Sequence, residues 1–236
     1  MLNQKKITNI LLDNPLLSWV LPLAVFVSFQ LSLGMIFLYV PDEKVMGAVQ
    51  RIFYFHVGSA TACYLMLALL FIGSIAFLVS REGIWDALAR SSASVGFLLA
   101  SIVLATGMIW GHSAWNTWWR WEPRLVSSLV LWLMLLAYLV YRKFANDFVN
   151  EKSTSAVLGI LSAIQVPIVI FSVKMIDQSE QLHPQVTANQ GLADPRFVQA
   201  LMVSILALSL FSVWLCFIRV NQILLAWRIE ELEANS

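Results

Sequence analysis

Charged residues are scarce in this chain. Asp, Glu, Lys and Arg together make up 12% of its 236 residues, and basic and acidic side chains nearly cancel at 15 against 14. A soluble domain of this size carries about twice that share of charge, so an ordinary water-soluble fold is excluded. With no basic excess, no nucleic-acid partner is expected. Cysteine is limited to Cys63 and Cys216, both within apolar runs, where they read most simply as small core residues. There is no Gly-x-x-x-x-Gly-Lys-Ser/Thr loop, so the chain has no common route to ATP hydrolysis of its own. No alternating strand pattern, domain linker, repeat or low-complexity tract is present. No small-x-small cleavage pattern follows the first apolar run, which is expected to be a retained helix rather than a secretion signal.

What fills the chain instead is apolar. Hydrophobic residues reach 59% and the mean hydropathy is +0.76. Six uncharged runs approach the roughly 17 to 25 residues that a helix needs to cross a bilayer. They lie near 16–40, 57–79, 91–110, 125–141, 155–173 and 197–218, and the fourth, the shortest, is expected to gain length from the residues before it. The reading is an all-α integral membrane protein, a six-transmembrane-helix bundle forming one membrane domain over 1–236. Six crossings put both termini on one side. Lys5, Lys6, Arg81, Arg90, Arg142, Lys143, Lys152, Arg219 and Arg228 fall on that side, against Lys44, Arg51, Arg120, Arg124, Lys174 and Arg196 on the other. This bias favours cytoplasmic termini.

Chemistry concentrates on the opposite side. His56, His112 and His183 all lie in or beside its loops. So does the stretch from Trp110 to Trp121, which holds five of the ten tryptophans and leads into Glu122, Pro123 and Arg124. Tryptophans at a membrane boundary can be an ordinary aromatic belt, or a surface for a large flat ligand. A lone histidine can be a hydrogen-bonding loop residue or a metal ligand. His56 lies where an amphipathic segment, Met46 to Phe55, runs into the second crossing, in an apolar setting where an imidazole needs a partner. His183 precedes Pro184 in the longest polar loop, which favours presentation at a helix end. His112, inside the tryptophan stretch, is secondary. The Gly107-x-x-x-Gly111 spacing permits a close helix contact but is weak evidence of one.

If residues 115–122 are helical, Trp115, Trp118, Trp119 and Glu122 share one face, an aromatic plate ending in a carboxylate. Pro123 suits the first turn of the fourth crossing. Arg51 and Arg124 can meet near the same outer surface, either as boundary residues or as partners for a carboxylate ligand. Two histidines, an aromatic plate and two arginines together match the needs of haem, a flat apolar macrocycle with axial imidazoles on its iron and two propionates on its edge.

The segment Trp110-Gly111-His112-Ser113-Ala114-Trp115-Asn116-Thr117-Trp118-Trp119-Arg120-Trp121-Glu122-Pro123-Arg124-Leu125 resembles the tryptophan-rich motif of the haem-handling membrane proteins of cytochrome c maturation. Among these it is most similar to the CcmC (haem exporter protein C) family, and less to the larger CcmF and CcsA types. The likeness extends to Arg51-Ile52-x-Tyr54-x-His56 and to the six-helix plan, and so covers essentially the whole chain. It implies a non-covalent, b-type haem at the periplasmic face of a bacterial inner membrane, or its mitochondrial counterpart. His56 and His183 would be the axial iron ligands. Trp115, Trp118, Trp119 and Trp121, with Glu122, would form the platform, and Arg51 and Arg124 would engage the propionates. The resemblance further implies presentation of haem to the chaperone CcmE, which binds it covalently, and energy from the ABC-type subunits CcmA and CcmB with the small CcmD. No catalytic residue of its own is expected. The family's acid is usually aspartate where this chain has Glu122, and its glycine is replaced by Asn116. With no Cys-x-x-Cys-His motif, haem is not expected to be attached to this chain as in a c-type cytochrome. The competing readings are a bis-histidine membrane electron carrier and a small-solute transporter whose aromatic loop is only a belt.

Overall fold

Lipid supplies no hydrogen bonds, so each apolar run closes its backbone internally as a helix. The computed structural model describes residues 16–44, 46–145, 148–175 and 194–234. Among these, six helical stretches are long and apolar enough to cross a membrane. Helix α1 (Leu21–Gly34) is flanked by wide π-type turns at Leu16–Val20 and Met35–Tyr39, and α2 (Ile52–Ser80) is entered through a 3-10 turn at Ala48–Arg51. Helices α3 (Gly83–Trp115) and α4 (Pro123–Phe144) follow. Then come α5 (Phe148–Phe171), closed by a 3-10 turn at Ser172–Lys174, and α6 (Pro195–Glu233). No strand is present among the described residues.

Helices α2 and α3 form the central pair. Helix α2 also packs on α6 and α5, α1 lies against α6, and α4 joins α3 to α5. Met66, Leu67 and Leu70 of α2 meet Ala93 and Leu99 of α3, Leu131 and Leu135 of α4, and Ile223 of α6 in one buried cluster. Where lipid removes the hydrophobic drive between helices, small residues let backbones approach and polar side chains bond across them. At Gly73 a methyl group would stand only 3.0 Å from the Ala89 nitrogen and the Trp85 carbonyl of α3. Ser32 and Ser204 hydroxyls meet at 2.9 Å between α1 and α6, and the Trp132 indole N–H donates to Ser101 Oγ at 2.8 Å between α4 and α3. Cys63 and Cys216 are free, buried thiols in this core, the Cys63 thiol facing the Gly96 carbonyl at 3.4 Å.

Several helices run past their apolar windows. Helix α3 begins at Gly83, eight residues before the run at 91–110, and α6 continues to Glu233. The extension of α3 carries Asp86 into the interior because Asp86 is paired there. Arg142, in the last turn of α4, donates to both Asp86 oxygens at 2.6 and 2.9 Å, and its Nε lies 3.1 Å from Glu151 in the first turn of α5. All three side chains are buried. One guanidinium fork thus ties three helices at the end of the bundle where α6 finishes. The fourth crossing begins at Pro123, where the N1 preference of proline suits it, and gains two residues before the apolar run, as expected, and three after it.

Breaking a buried ion cluster leaves its remaining charges without compensation, at a cost of about 3–5 kcal/mol. Arg142→Leu should therefore lower the thermal unfolding midpoint in detergent clearly more than Lys143→Leu, at the exposed neighbouring position. Equal midpoints for the two variants would show that the cluster does not hold the three helices together.

Candidate functional site

The tryptophan-rich segment is not one helix. Helix α3 ends at Trp115, and Asn116 takes a left-handed conformation with φ 53°, its N–H bonding back to the His112 carbonyl at 2.9 Å. Asparagine and glycine are the residues that accept this backbone most readily, so Asn116 preserves the turn that a glycine would make. At the far end Pro123 forces Glu122 into an extended conformation, φ −84° and ψ 149°. The expected single face of a helix over 115–122 is therefore corrected: two backbone signals break it, and residues 117–122 form a strap between α3 and α4.

The strap folds the tryptophans over a cavity of about 770 Å³, counting its open mouth. His56, Ala60 and Tyr64 of α2 form one wall, and α3 contributes Val103, Gly107, Trp110 and Trp115. Trp118, Trp119 and Arg120 come from the strap, and Arg124 and Ser128 from α4. Its mainly apolar lining with a few convergent polar groups is the composition of an organic-ligand site. The rings brace one another. Trp110 packs on His56 at a centroid distance of 5.9 Å and on Trp115 at 5.7 Å, Trp119 meets Trp121 edge-on at 5.8 Å, and His112 stacks on Trp118 at 4.1 Å.

His56 lies inside α2, one turn past its start, rather than at a loop margin, because the helix begins at Ile52 and absorbs the end of the amphipathic segment. Its Nδ1 is 3.1 Å from Thr106 Oγ1. Its ring lies against Gly107, where a methyl group would stand 3.1 Å from the ring carbon Cε1. The Gly107 and Gly111 pair therefore serves the site: Gly107 seats the imidazole, and a methyl at Gly111 would meet the Thr117 carbonyl of the strap at 3.0 Å.

Arg124 is fixed from behind. Its guanidinium donates to the Val169 carbonyl at 2.9 Å and reaches the Ile170 carbonyl at 3.4 Å, capping the end of α5 where the backbone passes into the 3-10 turn. Glu122, at the N-cap of α4, is buried with Arg120 Nε 3.8 Å from its carboxylate. Arg51 is turned elsewhere, in an ion pair with Asp42 at 2.9 Å and over the Phe37 ring.

Of the expected site residues, His56, Trp115, Trp118, Trp119 and Arg124 converge on the cavity. Arg51, Trp121 and Glu122 do not line it; Trp121 is 78% exposed at the rim. His183 lies outside the described residues. Thr106, Tyr64 and Arg120 were not singled out. Thr106 directly precedes Gly107, but it is one of several hydroxyl residues in its run and so carries no signal of its own.

The fold and this cavity define a class: a six-helix membrane protein carrying an aromatic, arginine-edged chamber at one membrane face. Residues 4–235 match the family described as "CcmC: Heme exporter protein C", and the chain belongs to that family. It is 30% identical over 193 residues to the "Heme exporter protein C" of Bradyrhizobium diazoefficiens, covering 82% of this chain and 73% of that one. It is 28% identical to the proteins of that name from Rhodobacter capsulatus, over 84% of this chain and 82% of the relative, and from Escherichia coli K12, over 88% and 84%.

The turn at Asn116 gives a direct test. Asn116→Gly should leave the unfolding midpoint in place or raise it, whereas Asn116→Val should destabilise by about 1–2 kcal/mol, the cost of a left-handed backbone for an ordinary residue. Equal stability of the glycine and valine variants would contradict the turn.

Proposed function

We propose that this chain binds haem non-covalently in the cavity beside His56 and presents it for covalent attachment to the chaperone CcmE during cytochrome c maturation. The observation that carries this reading is the convergence of an imidazole, four tryptophans and two arginines on one mainly apolar chamber. Each part has a counterpart in haem: imidazole for iron, indole faces for the macrocycle, guanidinium for the propionates. The name of the relatives supports the same ligand.

In this reading His56 and His183 are the axial ligands. Trp110, Trp115, Trp118 and Trp119 hold the macrocycle, with Trp121 at the rim. Arg124 and Arg120 are the nearer partners for propionates, and Arg51 joins them only by exchanging Asp42. Haem supplies the iron, and the chain supplies ligands, shape and exclusion of water. It carries out no bond-making step, and energy comes from the ABC-type subunits CcmA and CcmB with CcmD. The basic residues of the terminal side favour an orientation with that side cytoplasmic and the cavity at the periplasmic face of the inner membrane.

The experiment is an absorbance titration of the purified protein with haem. His56→Ala and His183→Ala should each shift or abolish the Soret band. A double variant with an unchanged axial spectrum and haem load would overturn the ligand assignment. The position of the rings adds a finer expectation. Trp119→Ala should weaken haem retention more than Trp121→Ala, with both proteins still inserted in the membrane, and the reverse order would place haem outside the cavity.

A further inference from the structure

The His56 ring has two nitrogens, and the structure distinguishes them. Thr106 Oγ1, one helix away on α3, lies 3.1 Å from Nδ1. The same hydroxyl is 2.7 Å from the Ile102 carbonyl, one turn back along its own helix, and 3.2 Å from the Val103 carbonyl. A carbonyl only accepts, so the single hydroxyl proton is committed to it, and Thr106 meets His56 as an acceptor. With that proton on the Ile102 carbonyl, at 2.7 Å the shortest of the hydroxyl's contacts, the ring proton falls on Nδ1 and the lone pair on Nε2; the Val103 carbonyl also hydrogen-bonds the ring. Gly107, the next residue of α3, sets the ring plane, since even a methyl there would press on Cε1 at 3.1 Å.

We propose that Thr106 is a positioning residue that holds His56 in the Nδ1–H tautomer and so selects Nε2 as the iron-binding atom; this rests on the haem reading above. Metal-bound histidines almost always donate their second N–H, and the partner fixes tautomer, ring orientation and ligand strength. The partners here are a neutral hydroxyl and the Val103 backbone carbonyl rather than a carboxylate. They orient the imidazole without pushing it toward imidazolate, which suits a ligand that must release its iron when haem is passed on. Thr106 touches neither iron nor macrocycle in this scheme and acts only through His56.

Two measurements test this. The first needs no haem: nitrogen-15 NMR of the apo-protein labelled at its three histidines, assigned by substitution, reports which nitrogen of His56 carries the proton. Nδ1–H is expected in the wild type and in Thr106→Ser, with loss of that preference in Thr106→Val. The second is haem affinity with the reduction potential of the bound haem. Thr106→Val should weaken haem binding about 10–100-fold, the usual cost of removing such a partner, and raise the potential as the ligand becomes a weaker donor. Thr106→Ser should restore both. Gly107→Ala, which leaves Thr106 in place and displaces the ring, should also weaken binding, and serves if Thr106→Val does not fold. An Nε2–H tautomer in the wild type, or wild-type affinity and potential in both Thr106→Val and Gly107→Ala, would overturn the proposal. A haem spectrum left unchanged by His56→Ala would overturn the haem reading itself, whatever the tautomer.

Discussion

Every polar group below the membrane surface must find its partner inside the bundle, because the lipid offers none. That constraint orders this molecule from end to end. At the end where α6 finishes, Arg142 gathers Asp86 and Glu151 and ties α3, α4 and α5 together. Between the two ends, Trp132 with Ser101, and nearer the site Gln165 with the Ser127 carbonyl, cross between helices. At the site end, Thr106 takes His56, and the free carbonyls at the end of α5 take Arg124. The residues that do chemistry in the proposed function are held by the same bonds that hold the helices.

This gives the site a rigid base and a folded cover. His56 and Arg124 stand on helices and are fixed by neighbours on other helices, so their placement depends on packing that the whole bundle shares. The strap from Thr117 to Glu122 depends instead on two backbone signals, the left-handed Asn116 and the extended residue before Pro123. Its tryptophans lean on one another and on His112, with Trp118 57% and Trp121 78% exposed. A rigid floor with an aromatic cover that reaches the outside fits a carrier that must both grip a flat ligand and show it to a partner.

Much of this was legible in the sequence. Apolar length alone gave six helices, and the density of tryptophan before Arg124 pointed to the segment that lines the cavity opposite His56. Helix ends were less visible. Asp86 lies outside the apolar run at 91–110, and its partners, Arg142 and Glu151, are distant in the chain, so only the fold brings them together. The strap was misread as a helix because the spacing of Trp115, Trp118, Trp119 and Glu122 fits helical periodicity, while the stop signals at Asn116 and Pro123 outweigh it. Arg51 and Arg124 looked equivalent, yet Asp42 draws one away and the α5 carbonyls fix the other. Thr106 could not be assigned from spacing, since its role exists only where α2 crosses α3.

The central claim is that the chamber beside His56 holds haem through that residue. A structure of the protein loaded with haem tests it most directly. The account predicts iron bonded to His56 Nε2, the macrocycle against Trp115 and Trp119, and a propionate at Arg124. Haem bound away from this chamber, or iron held without His56, would contradict it.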